Sequence, residues 1–302
     1  MVTSTAQRDR TRSWLDRTLP SARRSTITLL WAGQSNNRTG NSADISNTPI
    51  TFSDAWTLDK DDPAGETDLF ALTYDYNQTS TGGTHAHGPG SPAGGFIQRL
   101  ESQTNLKVIT KMLAVSGSKM LNAASGPDFH WEVDTNTDDS LVLSDDPLLS
   151  DGVRHLHMAQ VNEAIELRPD IKEDYRVFLW WQGENEHGQM SDSGDVTPAK
   201  YSSALGKTFD YYKNTWGVDL FCIFRLQPIG ADASERTANA AQLAYVRQAH
   251  DSVVASRSDC IEVFDGDVDL IDMYDATHPG HDIKITIGSN AADAVISELS
   301  LT

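Results

Sequence analysis

The chain has 302 residues, with 43 acidic against 24 basic side chains and a formal net charge of −19 at neutral pH. That excess argues against a nucleic-acid backbone as the main partner, and no apolar run approaches the roughly 18 residues of a membrane span. At 38% hydrophobic residues the chain can bury a sizeable core, and it is long for one domain and short for two.

Residues 1–24 differ from the rest: Arg8, Arg10, Arg12, Arg17, Arg23 and Arg24 stand against Asp9 and Asp16, with Trp14, Leu15 and Leu19 placed to form one face of a short helix. Two readings fit, a surface helix or arm and a docking arm for a larger assembly. No apolar signal core follows Met1, which leaves a cytoplasmic protein, a virion-associated one, or an exported one whose leader is missing. From there on, apolar runs alternate with amphipathic stretches. The spacing predicts strands over 26–32, 107–115, 176–182, 218–225 and 259–264, and helices over 94–104, 152–168, 198–215, 235–255 and 282–299. Strands separated by helices imply a mostly parallel sheet of five strands, covered on both faces. Its ligand site is then expected beyond the carboxyl ends of the strands. Two long segments, about 36–92 and 123–151, read as irregular loop insertions around a pocket in a single domain spanning 25–302. Cys222 and Cys260 sit in apolar strand runs and read as buried small hydrophobes rather than a disulfide.

Several strand ends carry chemistry-bearing residues. The first apolar run, Ile27-Thr28-Leu29-Leu30, ends in Trp31-Ala32-Gly33-Gln34-Ser35-Asn36-Asn37. The second runs into Ser116-Gly117-Ser118, and the third into Gln182-Gly183-Glu184-Asn185-Glu186; Asp275-Ala276-Thr277-His278-Pro279-Gly280 precedes the last helix. A serine hydroxyl becomes a nucleophile when an imidazole takes its proton, and a carboxylate on the other ring nitrogen fixes the tautomer. Asp275 and His278, three apart, fit one tight loop. The natural oxyanion donors are the backbone N–H groups of Ser35 and Gly117 and the side-chain amide of Gln182.

Together, Gly33-Gln34-Ser35-Asn36, His87-Gly88-Pro89-Gly90 with Phe96, Ala114 to Ser118, Trp181-Gln182-Gly183-Glu184 and Asp275-Ala276-Thr277-His278-Pro279 resemble the ordered blocks of the SGNH hydrolases. The nearest branch is that of sialate O-acetylesterase-like enzymes and carbohydrate esterase family 6. The resemblance spans roughly residues 26–300. It implies a flavodoxin-like three-layer α/β/α sandwich and a serine esterase that needs no metal or other cofactor and removes acetyl groups from a carbohydrate. By position, Ser35 matches the nucleophile, His278 the base, Asp275 its orienting acid, and Gly117 and Gln182 the oxyanion donors. The branch usually carries Gly-Gly-Thr where this chain has Ser116-Gly117-Ser118. Gln34 and Asn36 flank the nucleophile as supporting or substrate-binding residues. Glu184 matches a recurring acid, which either supports the oxyanion loop or competes with Asp275.

Other features admit rival readings. His85-x-His87 and His155-x-His157 suggest a metal, but the second pair falls in a predicted helix, where residues two apart diverge, and no third ligand follows at a telling spacing. The acids Asp134, Asp138, Asp139, Asp145 and Asp146 are either a Ca²⁺ site without an EF-hand pattern or a solvated loop. Trp131 and Trp56 read as sugar-stacking platforms or as core. The expected partner is an acetylated carbohydrate, with no nucleic acid and no membrane; xylan, sialic acid and bacterial surface polysaccharide all fit. The rival functions are a non-catalytic carbohydrate-binding or structural module of a larger assembly such as a viral tail, and a lipid or thioester hydrolase, for which the polar loops offer no acyl groove.

Overall fold

The apolar run at the first strand becomes the centre of the molecule. In a computed structural model, residues 24–37, 50–57, 70–74, 91–126, 129–133, 140–142 and 154–301 are described. The basic arm up to residue 23, the His85/His87 pair and the acids of the second loop (Asp134, Asp138, Asp139, Asp145 and Asp146) lie outside the described residues. The strands are β1 (Arg24–Gly33), β2 (Ile50–Thr57), β3 (Phe70–Tyr74), β4 (Lys107–Met112), β5 (Ile171–Trp181), β6 (Leu220–Phe224) and β7 (Cys260–Phe264). The helices are α1 (Ala93–Gln103), α2 (Arg154–Glu166), the single turn α3 (Glu184–His187), α4 (Pro198–Trp216), α5 (Ala233–Ser256) and α6 (His281–Glu298).

Among the described residues the sheet has seven strands in the order β3-β2-β4-β1-β5-β6-β7. Six run parallel, and β3 pairs antiparallel with β2. The sheet is therefore larger than the five strands expected. Both additional strands lie inside the segment 36–92, which the sequence reading took as irregular. The physical reason is that they are polar or short. Strands buried on both faces read as continuous apolar runs, whereas a stretch such as Ile50-Thr51-Phe52-Ser53-Asp54 of β2, between β3 and β4, or the five residues of the edge strand β3, carries no such signal.

Successive β1 side chains point to opposite faces, and each face has its own core. Ile27, Leu29 and Trp31 pack with Val177, Leu179, Trp181, Cys222 and Phe224 beneath α1 and α6. Leu30 and Ala32 pack with Phe178, Trp180, Phe221 and Ile223 beneath α2, α4 and α5. Helices thus cover both faces, giving the expected three-layer α/β/α sandwich. The α1–α6 pair approaches closely through two glycines: a Cβ on Gly95 would lie 1.9 Å from the Ile285 carbonyl oxygen, and one on Gly288 would lie 1.9 Å from that of Pro92. Thr197 caps α4 by accepting from the Lys200 N–H, and Asp232 caps α5 by accepting from the N–H groups of Ser234 and Glu235. Cys222 and Cys260 are free and buried, in the cores of opposite faces. Among the described residues no helix is long and apolar enough to cross a membrane.

Six parallel strands deliver their carboxyl ends to one rim. β1 lies between β4 and β5, so the chain leaves it toward one side of the sheet and later crosses to the other. The crevice beyond a strand in that position is where ligands bind in open α/β sheets.

Candidate active site

Gly33 ends β1 at φ +104°, a conformation that L side chains rarely adopt, and a Cβ there would lie 2.3 Å from the Trp181 carbonyl oxygen. The turn that follows is held from several sides. Gln34 N–H donates to that Trp181 carbonyl at 2.9 Å. Asn37 Nδ2 donates to the carbonyls of Ala32 at 2.6 Å and Leu179 at 3.1 Å. Ser35 sits partly exposed on this anchored turn.

Ser35 Oγ lies 2.7 Å from His278 Nε2. His278 Nδ1 lies 2.8 Å from Asp275 Oδ2 and 3.0 Å from Oδ1. Asp275 Oδ1 also accepts from the backbone N–H groups of Thr277 at 2.7 Å and His278 at 2.8 Å. Burial alone would push the Asp275 carboxyl up, but the His278 ring and those two N–H groups outweigh it and hold the group below the usual carboxylate value. Their loop is tied to the sheet: Trp181 Nε1 donates to Gln227 Oε1 at 3.0 Å, and Gln227 Nε2 donates to the Thr277 carbonyl.

The loop carrying Gly117 is sewn to the end of β1. Val115 N–H donates to the Gly33 carbonyl at 3.0 Å, and Ser118 Oγ donates to the same oxygen at 3.1 Å. Asn185 Nδ2 donates to the Gly117 carbonyl and, at 3.1 Å, to that of Ser118.

Glu184 accepts from Asn36 Nδ2. Gln34, with its amide nitrogen facing the acid, donates to Glu184 Oε2 at 3.1 Å and to the Ser118 carbonyl at 3.0 Å. Glu184 thus braces the residues on either side of Ser35, while the His278 ring is held by Asp275. Burial raises the Glu184 carboxyl to about 7, against the pull of backbone hydrogen bonds and of Asn36.

Gln182 departs from its expected setting. Rather than lying open to a reacting carbonyl, it is 0% exposed. Its Oε1 accepts from Tyr201 Oη at 2.5 Å, and its Nε2 donates to Glu186 Oε2 at 2.6 Å. The Gln34 amide lies against it, 3.5 Å from Nε2. Glu186 is itself fully buried and accepts from the backbone N–H groups of Met120 and, at 3.1 Å, Leu121. Burial pushes its carboxyl up, and these donors only partly offset that.

Trp131 is too deeply buried to be a sugar platform, and Trp56 lies away from the rim that carries Ser35. Trp131 is 0% exposed, edge-on to Trp180 with ring centres 5.2 Å apart, and its indole N–H donates to Ser118 Oγ at 2.9 Å. It underlies the Gly117 loop instead of meeting solvent. Trp56 pairs with Ile109 early in β4, below the rim, with Lys107 Nζ 4.6 Å from its ring centre. Among the described residues no group of three or more His, Cys, Asp and Glu side chains is placed to hold a metal ion.

Four supporting residues escaped the sequence reading: Glu186, Tyr201, Asn185 and Gln227. Glu186 had a signal, standing four positions after Gln182 where a helical turn begins. Tyr201 and Gln227 had none, because each reaches its partner from a different element.

No protein-family model matches the chain, and no match was found among curated protein sequences. Solved structures do resemble it. NanS is similar at 12% identity and a TM-score of 0.55, over 93% of this chain and 99% of that one. A protein from Arabidopsis thaliana is similar at 13% identity and a TM-score of 0.51, over 90% and 98%. A carbohydrate acetylesterase from Xanthomonas citri is matched at 15% identity and a TM-score of 0.49, over 89% and 55%. At such identities the first two likenesses are likenesses of fold: this chain has their α/β architecture.

Proposed function

We propose that this chain is a serine esterase that removes O-acetyl groups from a carbohydrate through an acetyl-enzyme intermediate. The observation that carries the reading is the hydrogen-bonded chain from Ser35 Oγ through His278 to Asp275, with links of 2.7 and 2.8 Å at the carboxyl rim of a parallel sheet. A non-catalytic carbohydrate-binding module has no need of such a chain. The acetyl specificity and the sugar come from the resemblance of the motif blocks to the SGNH hydrolases, and fold alone does not supply them.

In this mechanism His278 Nε2 takes the Ser35 proton as Oγ attacks the acetyl carbonyl. Asp275 keeps the proton of Nδ1 facing itself and steadies the imidazolium that forms. The tetrahedral oxyanion rests on the N–H groups of Ser35 and Gly117. The second hydrogen of Gln182 Nε2 completes the hole once the acyl oxygen displaces the Gln34 amide from its 3.5 Å approach. In the resting site that hydrogen reaches only the Ser118 carbonyl, over a long 3.4 Å bond that the oxyanion would replace. His278 then protonates the departing sugar hydroxyl. Water attacks the acetyl-Ser35 ester with His278 again as base, releasing acetate.

The test is acetate release from p-nitrophenyl acetate and from a panel of acetylated xylan, sialic acid and bacterial polysaccharide, for the wild type beside Ser35→Ala. A folded Ser35→Ala protein that keeps the wild-type rate overturns the mechanism. Glycan binding by the wild type without acetate release would favour the non-catalytic module instead.

A further inference from the structure

A side-chain amide has two faces of nearly the same shape, and only its neighbours decide which end is nitrogen. For an oxyanion donor the choice is decisive: nitrogen donates to the developing charge, whereas oxygen repels it. Gln182 is buried, so its orientation is set by the protein rather than by water. Tyr201 Oη, 2.5 Å from Oε1, cannot make that choice alone, because a hydroxyl both donates and accepts. Glu186 can. Its Oε1 accepts from the backbone N–H groups of Met120 and Leu121, and its Oε2 faces Gln182 at 2.6 Å. As a carboxylate anchored through Oε1, Glu186 has only lone pairs to offer at Oε2, and an acceptor there demands the nitrogen of Gln182.

We propose that Glu186 is the positioning residue of the oxyanion site: anchored by the Met120 and Leu121 N–H groups, it fixes the Gln182 amide so that an N–H, and not the C=O, is available to the reacting carbonyl. This rests on the esterase reading above. Tyr201 seats the other end of the amide, and α3, by carrying Glu186, becomes part of the reaction's scaffold. The arrangement also ties the Gly117 loop and Gln182 to one carboxylate, since Met120 and Leu121 follow closely on Gly117.

The isosteric change Glu186→Gln tests this. Its oxygen still accepts from Met120 and Leu121, but its NH₂ now faces Gln182, donor against donor. Gln182 then turns over and presents oxygen to the site. With p-nitrophenyl acetate, Glu186→Gln is expected to lower kcat by about 100-fold or more, in the range for losing one oxyanion donor, with KM and melting temperature near wild type. Gln182→Ala should lose a similar factor. The double variant should be no slower than either single one, because both remove the same N–H. Tyr201→Phe, which leaves Glu186 in command of the amide, should lose less than about tenfold. A Glu186→Gln enzyme within about threefold of wild-type kcat, or losses that multiply in the double variant, overturns the proposal.

A second measurement is independent of activity and of the variant's folding. In wild-type protein the side-chain ¹⁵N–¹H pair of Gln182, identified by its loss in Gln182→Ala, should show one proton shifted far downfield by the carboxylate acceptor. Both protons at ordinary amide positions overturn the proposal. If the wild type releases acetate from no ester, the esterase reading falls, and this resonance still decides whether Glu186 sets the amide.

Discussion

Ser35 Oγ and His278 Nε2 stand 2.7 Å apart although 243 positions separate them in the chain. The fold closes that gap by holding both at one rim: Ser35 on the turn after β1, and His278 on a loop pinned to Trp181 through Gln227. In the proposed mechanism the pair is useful only while the imidazole carries its proton on Nδ1, which is the task proposed for Asp275. Asp275→Asn keeps the shape, and its oxygen still accepts from the Thr277 and His278 N–H groups, but its amide nitrogen favours the other tautomer. Activity on p-nitrophenyl acetate is expected to fall by about 10²- to 10⁴-fold in kcat with KM little changed. Retention of full kcat would mean that Asp275 does not orient His278.

Gly33 makes the turn that exposes Ser35. Alanine there would be doubly penalised, by φ +104° and by a Cβ 2.3 Å from the Trp181 carbonyl oxygen. Relief would require β1 to move away from β5, the neighbour with which it pairs over its longest stretch. Gly33→Ala is expected to lose about 2–5 kcal/mol of stability, from backbone strain and overpacking together. Any protein that folds should lose activity, because the displaced turn carries the proposed nucleophile. A thermal melt and kcat check both, and unchanged values in both would reject the account.

The five expected strands and the long helices were legible because each writes a continuous signal: the second half of β5 is a run of buried residues, and α4 has a Thr-Pro start and a glycine end. Ser35, His278 and Asp275 were legible as rim residues once the βα alternation was read. What stayed hidden depends on where a side chain faces. β2, interrupted by polar residues, and the five-residue edge strand β3 lack the apolar run that marks a buried strand. Trp131 looks the same in sequence whether it faces a sugar or packs on Trp180. Gln182 was recognised as an amide near the site, but its burial comes from Tyr201 and Glu186, and Tyr201 belongs to an element with no local tie to it.

Half-buried Glu184 and buried His250 impose opposite pH slopes on stability. Glu184 is raised to about 7 from an ordinary 4.5, chiefly by burial. Between those values the folded chain holds a proton that the unfolded chain has lost, so this contribution falls as pH rises from about 4.5 to 7. His250 is lowered to about 3 from 6.5, again chiefly by burial. Below 6.5 the unfolded chain gains a proton that the folded chain refuses until about 3, so this contribution falls as pH drops through that window. Urea midpoints at pH 4.5, 5.5, 6.5 and 7.5 separate the two. Glu184→Gln should remove a decline toward pH 7, giving a midpoint that rises relative to wild type. A Glu184→Gln profile parallel to wild type would show that the carboxyl is not raised.

Far below the rim, Arg176 on β5 is almost wholly buried and forms a two-point pair with Glu173, Nε to Oε1 at 2.8 Å and Nη2 to Oε2 at 2.8 Å. Its Nη1 also donates to Asn162 Oδ1 at 2.9 Å and to the Trp216 carbonyl at 2.6 Å, joining β5 to α2 and the end of α4. Removing the acid alone leaves a guanidinium in the core with most of its compensation gone. Glu173→Ala is expected to cost about 3–5 kcal/mol, read from denaturant unfolding. Replacing the pair together, as in Glu173→Leu with Arg176→Met, should recover part of that loss, because it is the unpaired charge that is expensive. Position 176 lies six residues, roughly 20 Å along the strand, before Gln182, so kcat of the folded Glu173→Ala protein should stay near wild type. A variant that unfolds no more easily than wild type would mean that the ion pair contributes nothing to the stability of this end of the sheet.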